Sequence, residues 1–154
     1  MEIERKFRPA GHSLSDIGFD YRAFPCRHIE QAYLCTDPVV RIRREDDGCY
    51  LTYKGRGLLA REEYNLPLGE AAYRHMLAKA DGHVITKKRY LIPCGCYTIE
   101  LDVFEGVHEG LVIAEVEFPS VEEAHAFVPP PWLGEDVTEN PAYHNSVLSQ
   151  GKAS

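Results

Sequence analysis

Glu2, Glu4 and Lys6 stand at alternate positions in the opening run Glu2-Ile3-Glu4-Arg5-Lys6, and an extended strand turns alternate side chains to one face. Paired carboxylates suit a hard divalent cation such as Mg²⁺ or Mn²⁺, and a neighbouring ammonium suits an anion. The same spacing returns as Arg41/Arg43, Arg61/Glu63, Lys87/Arg89, Glu100/Asp102 and Glu115/Glu117, with Lys54 alone on a further segment. Arginine holds phosphate or carboxylate oxygens in bidentate pairs and lysine acts as a point charge. Bases on one wall and acids on another fit a metal-bound linear polyphosphate, because phosphoryl transfer is chiefly positioning and charge neutralisation.

Eight segments carry the pattern expected of strands: residues 2–7, 30–36, 39–45, 49–55, 60–67, 83–92, 96–104 and 111–118. Turn chemistry separates them. Asp46-Asp47-Gly48 is a hairpin signal, and Gly55 with Gly57, Pro93 with Gly95, and Gly106 with Gly110 mark other turns. Sequential hairpins predict mainly antiparallel pairing. Residues 70–80 predict a helix whose Tyr73, Met76, Leu77 and Ala80 share a face, with Gly82 beyond its end. Ser120 followed by Glu123 predicts a capping box for a short helix before Pro129, and residues 141–150 predict another. The fold class is α+β and mainly β: an eight-stranded closed antiparallel barrel, with a few helices packed outside.

Any single charged pair would ordinarily be the solvated face of an antiparallel sheet, where ion pairs contribute about 0.2–1 kcal/mol. Here the alternate positions Ile3, Phe7, Val40, Ile42, Tyr53, Ile99, Leu101, Val103, Ala114, Val116 and Phe118 are apolar. These need burial, so the hydrophobic layer is expected outside a charged lumen. The lumen set holds seven acids and seven bases, so the 17 acids and 10 bases outside it carry the whole net charge of -7. Fourteen charges in a dry interior would be prohibitive, so water, metal ions and a polyanion are expected there.

At 154 residues the chain is expected to form one domain, residues 1–154. The acidic balance argues against nucleic acid as a partner. No apolar run approaches the roughly 18 residues of a membrane span, and charge from Glu2 onward argues against a signal peptide. The five cysteines are odd in number and scattered, which suits reduced thiols and a cytoplasmic location, and Cys94-Gly95-Cys96 lacks a second pair for zinc. The seven histidines, His12 among them, are expected in surface or loop roles.

Taken in order, Glu2-Ile3-Glu4-Arg5-Lys6, Arg41-Ile42-Arg43, Lys54-Gly55, Arg61-Glu62-Glu63, Lys87-Lys88-Arg89, Glu100-Leu101-Asp102 and Glu115-Val116-Glu117 resemble the CYTH superfamily, the triphosphate tunnel metalloenzymes. The likeness is to short single-domain bacterial members and extends to Trp132–Thr138, Tyr143 and Asn145. It implies a tunnel binding a triphosphate on basic residues and divalent metal on glutamates. The implied metal ligands are Glu2, Glu4, Glu115 and Glu117, with Asp102 and Glu63 at a second site or positioning water. The implied phosphate contacts are Lys6, Arg41, Arg43, Lys54, Lys87 and Arg89, with Arg61 on phosphate or on a lumen acid. Asn65 replaces a common acid, and Ala142 and His144 stand where similar chains have bases. The implied activity is metal-dependent hydrolysis of tripolyphosphate by a monomer or homodimer, through water attack on a terminal phosphorus with Glu4, Glu117, Glu63 and Lys6 in the catalytic roles. A class IV-type adenylate cyclase, a thiamine or nucleoside triphosphatase, and a non-catalytic polyphosphate-binding module are the alternatives.

Overall fold

A computed structural model describes residues 1–9 and 14–150; His12 lies outside them. Ten strands form the sheet: β1 (Glu2–Arg8), β2 (Cys26–Thr36), β3 (Val39–Glu45), β4 (Gly48–Lys54), β5 (Ala60–Arg61), β6 (Glu63–Leu68), β7 (Asp81–Cys94), β8 (Tyr97–Glu105), β9 (Val112–Glu117) and β10 (Glu135–Asp136). Three helices accompany them: α1 (Glu70–Leu77), α2 (Val121–Ala126) and α3 (Asn145–Leu148). The strand order is β10-β1-β9-β8-β7-β2-β3-β4-β6, and β5 returns to pair with β1. Every strand pairing among the described residues is antiparallel, and the result is a nearly closed barrel.

The predicted single strand over residues 60–67 is two strands, and its break at Glu62 helps close the barrel. β6 pairs with β4 through Lys54↔Glu63, whereas β5 pairs with β1 through Glu2↔Arg61. Arg61 and Glu63 keep the same parity across the break, so both line the lumen. The hairpin expected at Asp46-Asp47 forms, with Glu45 opposite Gly48 and Asp46 at φ 53. Asp tolerates that left-handed backbone better than a branched residue does.

The core lies outside the charged lumen over much of the wall, as the alternation predicts. Phe7, Leu101, Val116 and Phe118 pack with residues such as Ala124 and Leu133. On the opposite side Ala32 and Ile42 are covered by Tyr73, Met76, Leu77 and Ala80, from α1 and the turn after it. Ser120 caps α2 by accepting from the Glu123 N–H at 3.1 Å. Covering fails on β4 and β6, where Tyr53 is 36% exposed, Tyr64 60% and Leu66 59%. α1 covers only one end of that face, where Cys49, Leu51 and Leu68 join the Tyr73 cluster, so the expectation that Tyr53 is buried is corrected.

The deep end of the barrel is apolar and plugged. Inward Tyr33, Ile85, Phe104 and Ile113 pack against Tyr143 and Leu148. The helix predicted over residues 141–150 divides into a 3-10 turn at Pro141–Tyr143 and α3, with Asn140 capping the turn. His108 Nε2 lies 2.6 Å from the Leu148 carbonyl oxygen, and the His83 N–H donates to Ser149 O at 2.6 Å. His108 and His144 are therefore buried, contrary to the surface placement expected of the histidines. Cys94 and Cys96 flank the Gly95 hairpin turn, and all five cysteines are free.

Gly82 seats this plug. It has φ 68, and a Cβ there would collide with the Ser149 backbone carbonyl. Gly82→Ala is expected to cost about 1–3 kcal/mol in urea unfolding, from backbone strain and displacement of the plug. A loss below about 0.5 kcal/mol would contradict that account.

Candidate active site: a lumen of carboxylates and guanidiniums

A cavity of about 310 Å³ opens into the barrel, with Glu2, Glu4, Arg41, Arg43, Arg89 and Glu117 among its walls. Strand pairing brings the acids together. Glu4 lies opposite Glu117 and Lys6 opposite Glu115 across β1 and β9, while Arg61 faces Glu2 across β5. Carboxylate oxygens of Glu2, Glu4 and Glu117 lie within 4.8 Å of one another. Like charges directly opposite on a sheet are unfavourable, and the protonation equilibria register the cost. Partial burial and the charges of Glu100, Glu4, Glu2 and Glu63 push Glu117 up to about 7. Burial and Glu115 raise Glu4 as well, although Lys6 opposes them. Three oxygen donors converging under mutual repulsion are a donor set that fits a hard divalent cation.

Glu115 and Asp102 have different partners. Lys6 Nζ donates to Glu115 Oε1 at 2.9 Å and lies 3.3 Å from Glu4 Oε1. Arg89 grips Asp102 through Nε at 2.7 Å and Nη2 at 2.9 Å, and reaches Glu100 at 3.1 Å and Glu115 at 3.6 Å. Lys87 Nζ lies 2.8 Å from Asp102 Oδ2 and donates to Asn145 Oδ1 at 3.0 Å. Both Asp102 oxygens are thus engaged, and this residue does not join the three-carboxylate group. Burial would raise Glu115 and Asp102, but Lys6 and Arg89 outweigh it for Glu115, and Arg89 and Lys87 for Asp102; both fall below the ordinary carboxylate range. Burial also pulls Lys87 down to about 7 against the pull of Asp102.

The seven predicted bases therefore separate into two groups. Lys6, Lys87 and Arg89 are matched by acids, as are Lys54 and Arg61: Lys54 Nζ reaches Glu2 at 2.9 Å and Glu63 at 3.4 Å, and Arg61 Nε reaches Glu2 at 3.4 Å. Arg61 is thereby placed on a lumen acid. Arg41 and Arg43 are buried with mainly neutral partners. Arg41 Nη2 donates to Thr52 Oγ1 at 3.1 Å, and its buried Nε has no hydrogen-bond partner among the described residues. Arg43 Nε donates to Gln31 Oε1 at 2.8 Å and Nη1 to the Tyr50 hydroxyl at 3.2 Å, with Glu45 only at 3.8 Å. Burial and then Arg43 lower Arg41. Two adjacent buried guanidiniums short of counter-charge are a donor set that fits an anion.

Neutral residues complete the lining and were outside the charge-based set. Gln31, Tyr50 and Thr52 orient the two arginines, and Thr52 in turn donates to Asn65 Oδ1 at 2.6 Å. Strand parity could have found them, since Gln31 and Tyr33 share one parity on β2, and Tyr50 and Thr52 share the parity of Lys54 on β4. Asn145 and Ser146 reach the lumen from α3, and Asn145 supplies the polar contact that Ala142 and His144 do not. Burial, then Lys6 and Arg61, lower His144 to about 4, so it stays uncharged, and it lines a neighbouring cleft with Arg61 and not the lumen itself. Arg27 and Glu45 add one more base and acid at the mouth. Arg27 was missed because β2 begins four residues before the predicted start at Glu30.

The model of the CYTH domain matches residues 1–149. The chain belongs to the CYTH domain family. Two relatives of this CYTH chain are named inorganic triphosphatase. That of Nitrosomonas europaea is 37% identical over 153 residues, spanning 96% of each chain. That of Acetivibrio thermocellus is 39% identical over 156 residues, spanning 96% of this chain and 92% of the relative. The crystal structure of an inorganic triphosphatase superposes with a TM-score of 0.70 at 32% identity, covering 100% of this chain and 97% of the other. The nearly closed CYTH barrel is therefore shared architecture. No helix among the described residues is long and apolar enough to cross a membrane.

Proposed function

We propose that this CYTH protein is a metal-dependent inorganic triphosphatase that hydrolyses tripolyphosphate. The observation that carries the reading is the pairing of an anion-hungry Arg41/Arg43 wall with the mutually repelling Glu2/Glu4/Glu117 carboxylates in one cavity. Its relatives' names point the same way. Arg41 and Arg43 would grip phosphoryl oxygens, held at the right angle by Thr52, Gln31 and Tyr50. Lys54 and Arg61 would exchange part of their contact with Glu2 for phosphate as that carboxylate turns to a cation. Lys6 and Arg89 serve mainly to hold Glu115, Glu4 and Asp102 in place, and Lys87 links that layer to α3. Glu2, Glu4 and Glu117 would hold Mg²⁺ or Mn²⁺, which when bound neutralises phosphoryl charge and lowers the pKa of water. Glu63, 24% exposed beside Lys54, would orient the attacking water. The protein would act as a monomer or a homodimer, and free cysteines suit the cytoplasm.

A phosphate-release screen over tripolyphosphate, ATP, GTP and thiamine triphosphate with Mg²⁺ and Mn²⁺ tests the assignment. Tripolyphosphate is expected to be the fastest substrate. Cyclic AMP and pyrophosphate from ATP would instead identify a cyclase, and tight binding without release would identify a binding module.

The titration of Glu117 predicts opposite pH trends for metal affinity and metal-free stability. A proton competes with the cation at this carboxylate, so metal affinity is expected to fall about tenfold between pH 8 and pH 6 for a group titrating near 7. The folded chain binds that proton more tightly than the unfolded chain, so this group makes the metal-free protein more stable as pH falls below 7. Calorimetric metal titrations at the two pH values check the first trend; a pH-independent affinity would remove Glu117 from the ligand set.

A further inference from the structure

We infer that Arg27 forms an outer phosphate-binding position at the mouth of the lumen, extending the site to linear polyphosphates of more than three phosphoryl groups. The inference rests on the anion site proposed above and names the longer substrate that site would accept. β2 turns Arg27, Ile29, Gln31 and Tyr33 to one side, and Arg27 and Tyr33 both line the cavity. Gln31 holds Arg43 in the buried layer. Arg27 lies four residues farther out along β2, roughly 13 Å at the rise of a strand. Its side chain is 47% exposed, unlike the buried bases below it.

The guanidinium of Arg27 is only lightly engaged. Among the described residues it contacts Glu45 Oε2, through Nη1 at 2.9 Å. Glu45 is shared, with the Tyr50 hydroxyl at 3.4 Å and Arg43 Nη1 at 3.8 Å from its other oxygen. Arg89 stands opposite Arg27 in the β2–β7 register, but its own guanidinium is occupied by Asp102 and Glu100. An exposed pair such as Arg27–Glu45 is held weakly enough for a polyanion to displace, and arginine offers phosphate a bidentate replacement. The rest of the mouth is acidic, with Glu45, Glu63, Glu100 and Glu117. A phosphoryl group protruding beyond the Arg41/Arg43 layer would meet repulsion there, and Arg27 is the cation placed to offset it.

The test is calorimetric titration of the full chain with tripolyphosphate and with tetrapolyphosphate in EDTA, where no turnover intervenes. Arg27→Gln is expected to weaken tetrapolyphosphate by about tenfold and tripolyphosphate by less than about threefold, the loss of one charge-assisted contact falling on the longer chain. Arg27→Lys, which keeps the charge and loses the fork, should fall between. Equal weakening of both ligands, or of neither, would overturn the inference. Because Arg27 is half exposed, an unchanged melting temperature is expected to show that the variant folds. Phosphate release with Mg²⁺ is scored separately. No release together with a shifted ratio would remove the hydrolase reading and keep the outer position; release without a shifted ratio would do the reverse.

Discussion

Glu4→Gln is expected to abolish metal-supported turnover, lowering it by more than about a hundredfold, since loss of even an outer partner of a metal ligand costs 10–100-fold. The substitution preserves shape and removes one charge from a group of three carboxylates whose oxygens lie within 4.8 Å. Burial and Glu115 already raise the Glu4 pKa, so neutralising it should leave the metal-free melting temperature unchanged or higher. Lys6 retains its 2.9 Å contact with Glu115 in the variant. Added Mg²⁺ or Mn²⁺ should stabilise the parent protein and not Glu4→Gln, because only the parent binds the ion tightly. The same pair of measurements on Glu117→Gln should agree. Full activity in either variant would sink the metal assignment, and lost activity with metal stabilisation intact would move the residue from ligand to another role.

Arg89→Ala is expected to be the most destabilising single change in the lumen. One guanidinium satisfies both oxygens of Asp102 and reaches Glu100 and Glu115. Its removal leaves buried carboxylates short of counter-charge, a loss of about 3–5 kcal/mol from a total of roughly 5–15 kcal/mol for a protein of this kind. The variant should also change its response to acid. Asp102 and Glu115 sit below the ordinary carboxylate range despite burial. Their contribution to stability is therefore present above the unfolded-state pKa and is lost as pH falls through the lowered folded values. Without Arg89 those folded values rise toward or beyond the ordinary range, so the contribution shrinks and its loss begins at higher pH. Urea unfolding across an acidic pH series checks both parts, and a loss below about 1 kcal/mol would show that Lys6 and Lys87 suffice to neutralise the layer.

These two residues also mark how far the chain could be understood before folding. Glu4 and Glu117 are motif acids on different strands, and alternation alone gave each its inward face. Their opposition across β1 and β9 required the register, which depends on how turns and edges pair. Asp102 has the same alternation as the metal acids, yet tertiary packing commits it to Arg89 and Lys87. Arg41 and Arg43 look like the other bases in sequence and differ only in having few acidic neighbours in space.

The alternation is written in the chain, and with it an inverted barrel with charge inside, apolar residues outside and equal numbers of acids and bases in the lumen. Side-chain period along a strand is a local property, so one chain sufficed to read it. Folding in three dimensions sets which acid neutralises which base, where the break at Glu62 lets β5 and β6 serve different neighbours, and that α3 plugs the deep end. Those outcomes depend on contacts between residues as distant as Lys6 and Glu115 or Lys87 and Asn145, and electrostatic pairing is set by separation in space.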